Sequence, residues 1–127
     1  MSRILIQNGR VIDPSEGVDR ITNLLIEGDR IAKIDDANTC ADTVIDASDK
    51  IVSPGLIDIG VQLREPGFEE DETIATGTAA AVAGGDTTIA CVKNSNPPVD
   101  TQASVEFIQL LAARANRCHV GIEARCF

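Results

Sequence analysis

The chain contains neither Trp nor Tyr, and three Phe are its only large aromatic residues. Its core must therefore be built from Ile, Val, Leu and Ala, and recognition by base stacking is not expected. Histidine is almost absent: His119 is the single one, and one imidazole cannot make a zinc site without several partners. It is read here as a structural or surface residue. The four cysteines, Cys40, Cys91, Cys118 and Cys126, form no C-x-x-C pair. The opening Ser2-Arg3-Ile4-Leu5-Ile6 lacks the apolar stretch of a secretory signal, so disulfides are not expected. Cys91 and Cys118 lie in apolar segments and read as buried thiols. No apolar run approaches the about 20 residues of a membrane span. Positive charge is also scarce, with 11 basic against 20 acidic side chains and a net charge of −9. That balance repels nucleic-acid phosphates and anionic membranes, so neither is an expected partner. Together these absences predict a cytoplasmic protein.

What is present is an ordinary apolar content in 127 residues, enough for a modest core. It is too little for a complete eight-fold β/α barrel, which takes about 250 residues. Two regions differ in periodicity. Residues 1–52 are strand-like and turn-rich: Arg3–Ile6 and Arg10–Ile12 flank an Asn8-Gly9 turn, and Asn23–Glu27 and Arg30–Ile34 flank Gly28-Asp29 as a hairpin. Thr43–Asp46 and Lys50–Val52 are further short strands. This pattern predicts a small antiparallel β-sandwich segment.

Residues 53–127 alternate instead. Leu56–Leu63 reads as a strand and Asp71–Ala83 as a helix, with Ile74, Thr78, Ala81 and Val82 on its inner face. Gly84-Gly85 ends that helix. Thr87–Val92 is a β-branched strand, and Thr101–Asn116 a second helix capped by Asp100 or Thr101. Its inward stripe is Ile108, Leu111, Ala112 and Ala115, and His119–Ala124 is a third strand. Strand-helix-strand-helix-strand implies parallel strands with right-handed crossovers. The expected fold class is therefore α/β with a β-sandwich, the second part being the first β/α units of an incomplete TIM-type barrel. In such a unit the chemistry lies on the loops after the strands, here Arg64–Glu70 and Lys93–Asp100.

Single residues in those loops admit more than one reading. The run Glu69-Glu70-Asp71-Glu72 is read as a solvated helix start, since carboxylates favour the positive end of a helix dipole. A metal-binding run is disfavoured because four consecutive side chains cannot all face one ion. From spacing alone, Arg64 can be a surface residue paired with Glu65 or Glu69. Asn94 can be a turn residue before Pro97-Pro98. Asp58 is expected to hold strand-end backbone or a neighbour by hydrogen bonds and not to bind a metal.

The motifs, taken together, resemble the dihydroorotases of the amidohydrolase superfamily along nearly the whole chain. Ile6–Pro14 resembles the start of their β-sandwich, and Ser53–Asp58 the approach to barrel strand one. Leu63-Arg64-Glu65-Pro66-Gly67 is the most specific part, resembling the family's H-x-H-x-R-E-P-G stretch without its histidines. Glu72–Thr78 resembles the first barrel helix, and Thr87–Pro97 strand two with its loop. The resemblance implies metal-assisted hydrolysis of the cyclic amide of dihydroorotate in pyrimidine biosynthesis. In that chemistry zinc lowers the pKa of water and polarises the carbonyl, and a barrel-end Asp moves the proton.

Carried over by position, Arg64 matches the Arg that binds the substrate carboxylate, and Asn94 the substrate-binding Asn. The two metal-binding His positions are Gly60 and Gln62. Glycine offers no ligand, and an amide oxygen is a poor zinc ligand beside imidazole. The family's other ligands and its catalytic Asp come from later strands. Lys93 stands for the usual Pro, Ser95 for the usual Thr, and Asp86 for an apolar residue after the glycine pair. No catalytic residue, no metal ligand and no bound zinc are therefore expected in this chain. Three hypotheses follow. The first is an inactive, truncated dihydroorotase whose ligand would be dihydroorotate or carbamoyl aspartate. The second is a non-catalytic relative that assembles with aspartate transcarbamoylase or as a homo-oligomer. The third is part of a longer gene product, with a hydantoinase or dihydropyrimidinase as the alternative parent.

Overall fold

A computed structural model describes residues 2–35, 39–92 and 95–123. The chain divides into two compact units, Met1–Pro54 and Gly55–Phe127.

The first unit is a five-stranded sheet. Its strands are β1 (Arg3–Asp13), β2 (Val18–Glu27), β3 (Arg30–Ile34), β4 (Thr43–Asp46) and β5 (Ile51–Val52). The order is β3-β2-β1-β4, with β5 also on β1. β1, β2 and β3 pair antiparallel, and Gly28 takes φ +65° in the β2–β3 hairpin, as its Gly-Asp pair predicts. β4 and β5 run parallel to β1. The antiparallel sandwich expected from the pattern is thus corrected to one mixed sheet among the described residues. The reason is non-local: a short strand of Val and Ile pairs either way, and the connection from β3 carries the chain back to the far side of β1. Leu5, Val11, Leu24, Leu25 and Ala47 are its buried apolar residues.

Asn8-Gly9 is not a turn. β1 runs through it, with a register shift between Ile6 and Gly9 and Asn8 at φ +64°. A left-handed residue inside a ladder makes a bulge, which bends a strand without reversing it. Asn8 is held there on both sides. Its amide N–H donates to Asn23 Oδ1 and its side-chain Nδ2 to Asp46 Oδ1, each at 3.1 Å.

The second unit is a parallel sheet of β6 (Leu56–Val61), β7 (Asp86–Cys91) and β8 (His119–Ile122), in that order. Helices α1 (Ile74–Gly84) and α2 (Gln102–Ala115) form the two crossovers. Leu63, Ile74, Ile89, Cys91, Val99, Ile108 and Ala112 make one buried cluster that joins sheet to helices. Ile89 is fully buried at its centre. Among the described residues the sheet has three strands, and Ile57 and Ile59 of β6 are about 70% exposed at its edge (67% and 70%).

Both helices begin at a Thr. Thr73 and Thr101 each form a reciprocal capping box, with Thr76 and Ser104 respectively. α1 ends at Gly85 and α2 at Asn116, both left-handed. α1 therefore starts after the acidic run, and no acidic residue lies in its first turn. The reading of Glu69–Glu72 as a helix start is corrected, because the Thr73 hydroxyl satisfies the orphan amide that a helix start must cover. The buried face of α1 is Ile74, Gly77 and Thr78, while Val82 is exposed. Buried Thr78 is satisfied locally, its hydroxyl donating to Ile74 O at 2.6 Å.

Candidate functional site

The loop from β6 to α1 carries a cluster of polar groups, and several of its residues have a visible task. Glu65 reaches the start of α1, where its Oε2 accepts from the Ile74 N–H at 2.8 Å. A carboxylate at that point satisfies an orphan donor and meets the positive end of the helix. Glu65-Pro66 and Asn96-Pro97 are cis peptides. The loops after β6 and β7 are tied together by the Asn96 N–H donating to Pro66 O at 2.9 Å. Gly67, at φ +107°, lies so close that an added Cβ would overlap the Asn96 carbonyl oxygen. Glu69 Oε1 accepts from the Gly67 N–H at 2.9 Å, and backbone hydrogen bonding of this kind holds the Glu69 carboxyl below its usual range.

Arg64 is the cation of this loop. Its guanidinium carbon sits 4.4 Å from the centre of the Phe68 ring, and its Nη2 donates to Asp71 Oδ2 at 2.9 Å. The surface pairing read from spacing, with Glu65 or Glu69, is corrected: both of those carboxylates face backbone amides, and Asp71 takes the ion pair. Two turns fold the segment back on itself, with the Phe68 N–H on Arg64 O and the Asp71 N–H on Phe68 O, each at 3.0 Å. That return places Asp71 beside Arg64. Asn94 and Lys93 lie outside the described residues. Ser95 closes its own loop, with Oγ donating to Pro97 O at 3.0 Å.

At the positions where a metal pair was sought, Gly60 in β6 and Gln62 just after it are both exposed. Gly60 donates its N–H to Asp58 Oδ1 at 2.9 Å, the backbone role expected of Asp58. Among the described residues no cluster of three or more His, Cys, Asp or Glu side chains could hold a metal ion. The donors present do not fit a zinc centre, since one position has no side chain and the other offers only an amide.

The remaining reactive groups do not converge on this loop. His119 is exposed at the first residue of β8. Burial raises the Cys91 thiol, and burial with a smaller contribution from Asp86 raises Cys118, so neither is a poised nucleophile. A hollow of about 230 Å³ in the first unit is lined by Ile6, Leu24, Ile26, Ile31 and Ile34, with Asp13 as its one ionisable group. No described helix is long and apolar enough to cross a membrane.

Parallel β/α units with an Arg-Glu-Pro-Gly loop after the first strand agree with a relationship to the amidohydrolase superfamily. The structure is similar to the L-hydantoinase (dihydropyrimidinase) from Arthrobacter aurescens, at a TM-score of 0.73 and 25% identity, over 98% of this chain and 27% of that one. A family model described as Dihydro-orotase-like matches residues 49–124, and the chain belongs to that family. It is 48% identical to a dihydroorotase of Syntrophotalea carbinolica, over 93% of this chain and 28% of that protein. It is also 48% identical to one of Caldanaerobacter subterraneus subsp. tengcongensis, over 88% of this chain and 26% of that protein. The chain thus spans about a quarter of the length of these relatives. Sequence identity favours the dihydroorotases over the hydantoinases, whose likeness is mainly one of fold.

Proposed function

We propose that this chain is the β-sheet segment and barrel opening of a dihydroorotase-like cyclic amidohydrolase. In this reading it retains a carboxylate-binding arginine and has lost the metal-dependent hydrolysis. Arg64 is the anchor for the carboxylate of dihydroorotate or carbamoyl aspartate, and Asn94 is the second substrate-binding residue by its match to the family motif. A guanidinium suits that task because it offers donors in a fork that matches a carboxylate. The supporting observation is the architecture of the Arg64 loop. Glu65 caps α1, Gly67 packs against Asn96, and Arg64 is held over Phe68, so the cation has a built seat.

The same reading makes the chain inactive toward the cyclic amide, because Gly60 and Gln62 supply no imidazole for zinc. Elemental analysis of the purified chain, together with the ultraviolet assay of dihydroorotate ring opening, tests this. We expect sub-stoichiometric zinc and no turnover. Stoichiometric zinc with turnover overturns it.

A further inference from the structure

We propose that Asp71 is a built-in competitor for the carboxylate that Arg64 would bind. The proposal rests on the reading of Arg64 as a carboxylate anchor and adds a regulator to that same site.

Three observations carry it. First, Arg64 is already engaged by a carboxylate. Its Nη2 meets Asp71 Oδ2 at 2.9 Å in a contact with one hydrogen bond. A ligand carboxylate gains most by taking two parallel N–H groups of the fork. With one terminal nitrogen engaged by Asp71, a ligand carboxylate either displaces that residue or takes the remaining donors beside its negative charge, and both lower its affinity. Second, the competitor is placed by local structure. The turns from Arg64 to Phe68 and from Phe68 to Asp71 return the chain to the guanidinium, and Phe68 covers one face of it. The ring covers one face of the guanidinium, and ligand and Asp71 both use its in-plane donors.

Third, the neighbouring acids are employed elsewhere. Glu65 accepts from Ile74 N–H and Glu69 from Gly67 N–H, which leaves Asp71 as the carboxylate paired with Arg64 among the described residues. The pair is also accessible. The Arg64 side chain is 34% exposed and that of Asp71 58% exposed. An ion pair so open to solvent is weak and exchangeable. Asp71 therefore weakens carboxylate binding without abolishing it, and a ligand that offers a second hydrogen bond can displace it.

The test is a titration of the full chain with carbamoyl aspartate, followed by the backbone amide resonances of residues 64–71. It compares the unsubstituted protein with Asp71→Asn, Arg64→Ala and the double variant. Asp71→Asn is expected to bind roughly two- to five-fold more tightly, the range set by exposed ion pairs. Asp71→Ser must change affinity in the same direction. Arg64→Ala should lose binding in both backgrounds. If Arg64→Ala loses binding while Asp71→Asn binds no better than the unsubstituted chain, the competitor proposal is overturned and the anchor stands. If binding is absent throughout, or indifferent to Arg64, the anchor reading itself fails and the proposal falls with it.

Discussion

Gly60 and Gly67 flank the same strand end, yet their surroundings differ completely. At Gly67 the backbone is left-handed, at φ +107°, and a Cβ would overlap the Asn96 carbonyl. At Gly60 the nearest atom to an added Cβ is Asp58 Oδ1 at 3.8 Å, an ordinary contact. Glycine is demanded by the loop and merely accommodated by the strand. The contrast separates a glycine that the backbone requires from one that it only tolerates. In the Arg-Glu-Pro-Gly loop, local geometry requires the glycine at residue 67. At Gly60 nothing in the packing requires the absence of a side chain.

The sharpest way to break this comparison is the same substitution at both sites. Gly67→Ala must move the loop after β7 and strain the backbone, at a cost of about 2–4 kcal/mol in urea unfolding. An effect below the error of the measurement would show that the two loops do not depend on their close approach. Glu65→Ala is expected to cost about 0.5–2 kcal/mol, since it strips the carboxylate from the first amide of α1. Backbone amide exchange at Ile74 would report the same loss locally. Unchanged protection there would mean that Glu65 does not hold that amide in solution.

Gly60→Ala should be the smallest effect. Stability is expected to stay within about 0.5 kcal/mol, or to rise slightly as the unfolded chain loses freedom. A loss comparable with that of Gly67→Ala would erase the distinction between the two glycines.

Much of the second unit was legible in the sequence because its signals are local. Thr101 and Asn116 bracket α2 as the capping pattern suggests, and Ile108 and Ala112 face inward at helical spacing. The Asp58 side chain binds strand backbone, as a short acid at a strand end does. The family was legible too, from Arg64 to Gly67, and residues 49–124 match its model.

Other features were beyond local reading. The acidic run looked like a helix start, but Thr73 is the stronger cap and α1 begins after it. Asn8-Gly9 carries the residues of a turn, and only the partners on both sides of β1 show a bulge.

By itself, then, the sequence determined the position of α2, the glycine end of α1, the β2–β3 hairpin, the loop motif and the absence of imidazole at residues 60 and 62. Capping, turn chemistry and residue identity act over a few positions and need no distant partner. Tertiary structure alone decided that the first unit is one mixed sheet, that the loops after β6 and β7 interlock, and that Asp71 holds Arg64. Those outcomes depend on which of several chemically equivalent partners, a strand edge or a carboxylate, the folded chain brings within hydrogen-bond distance.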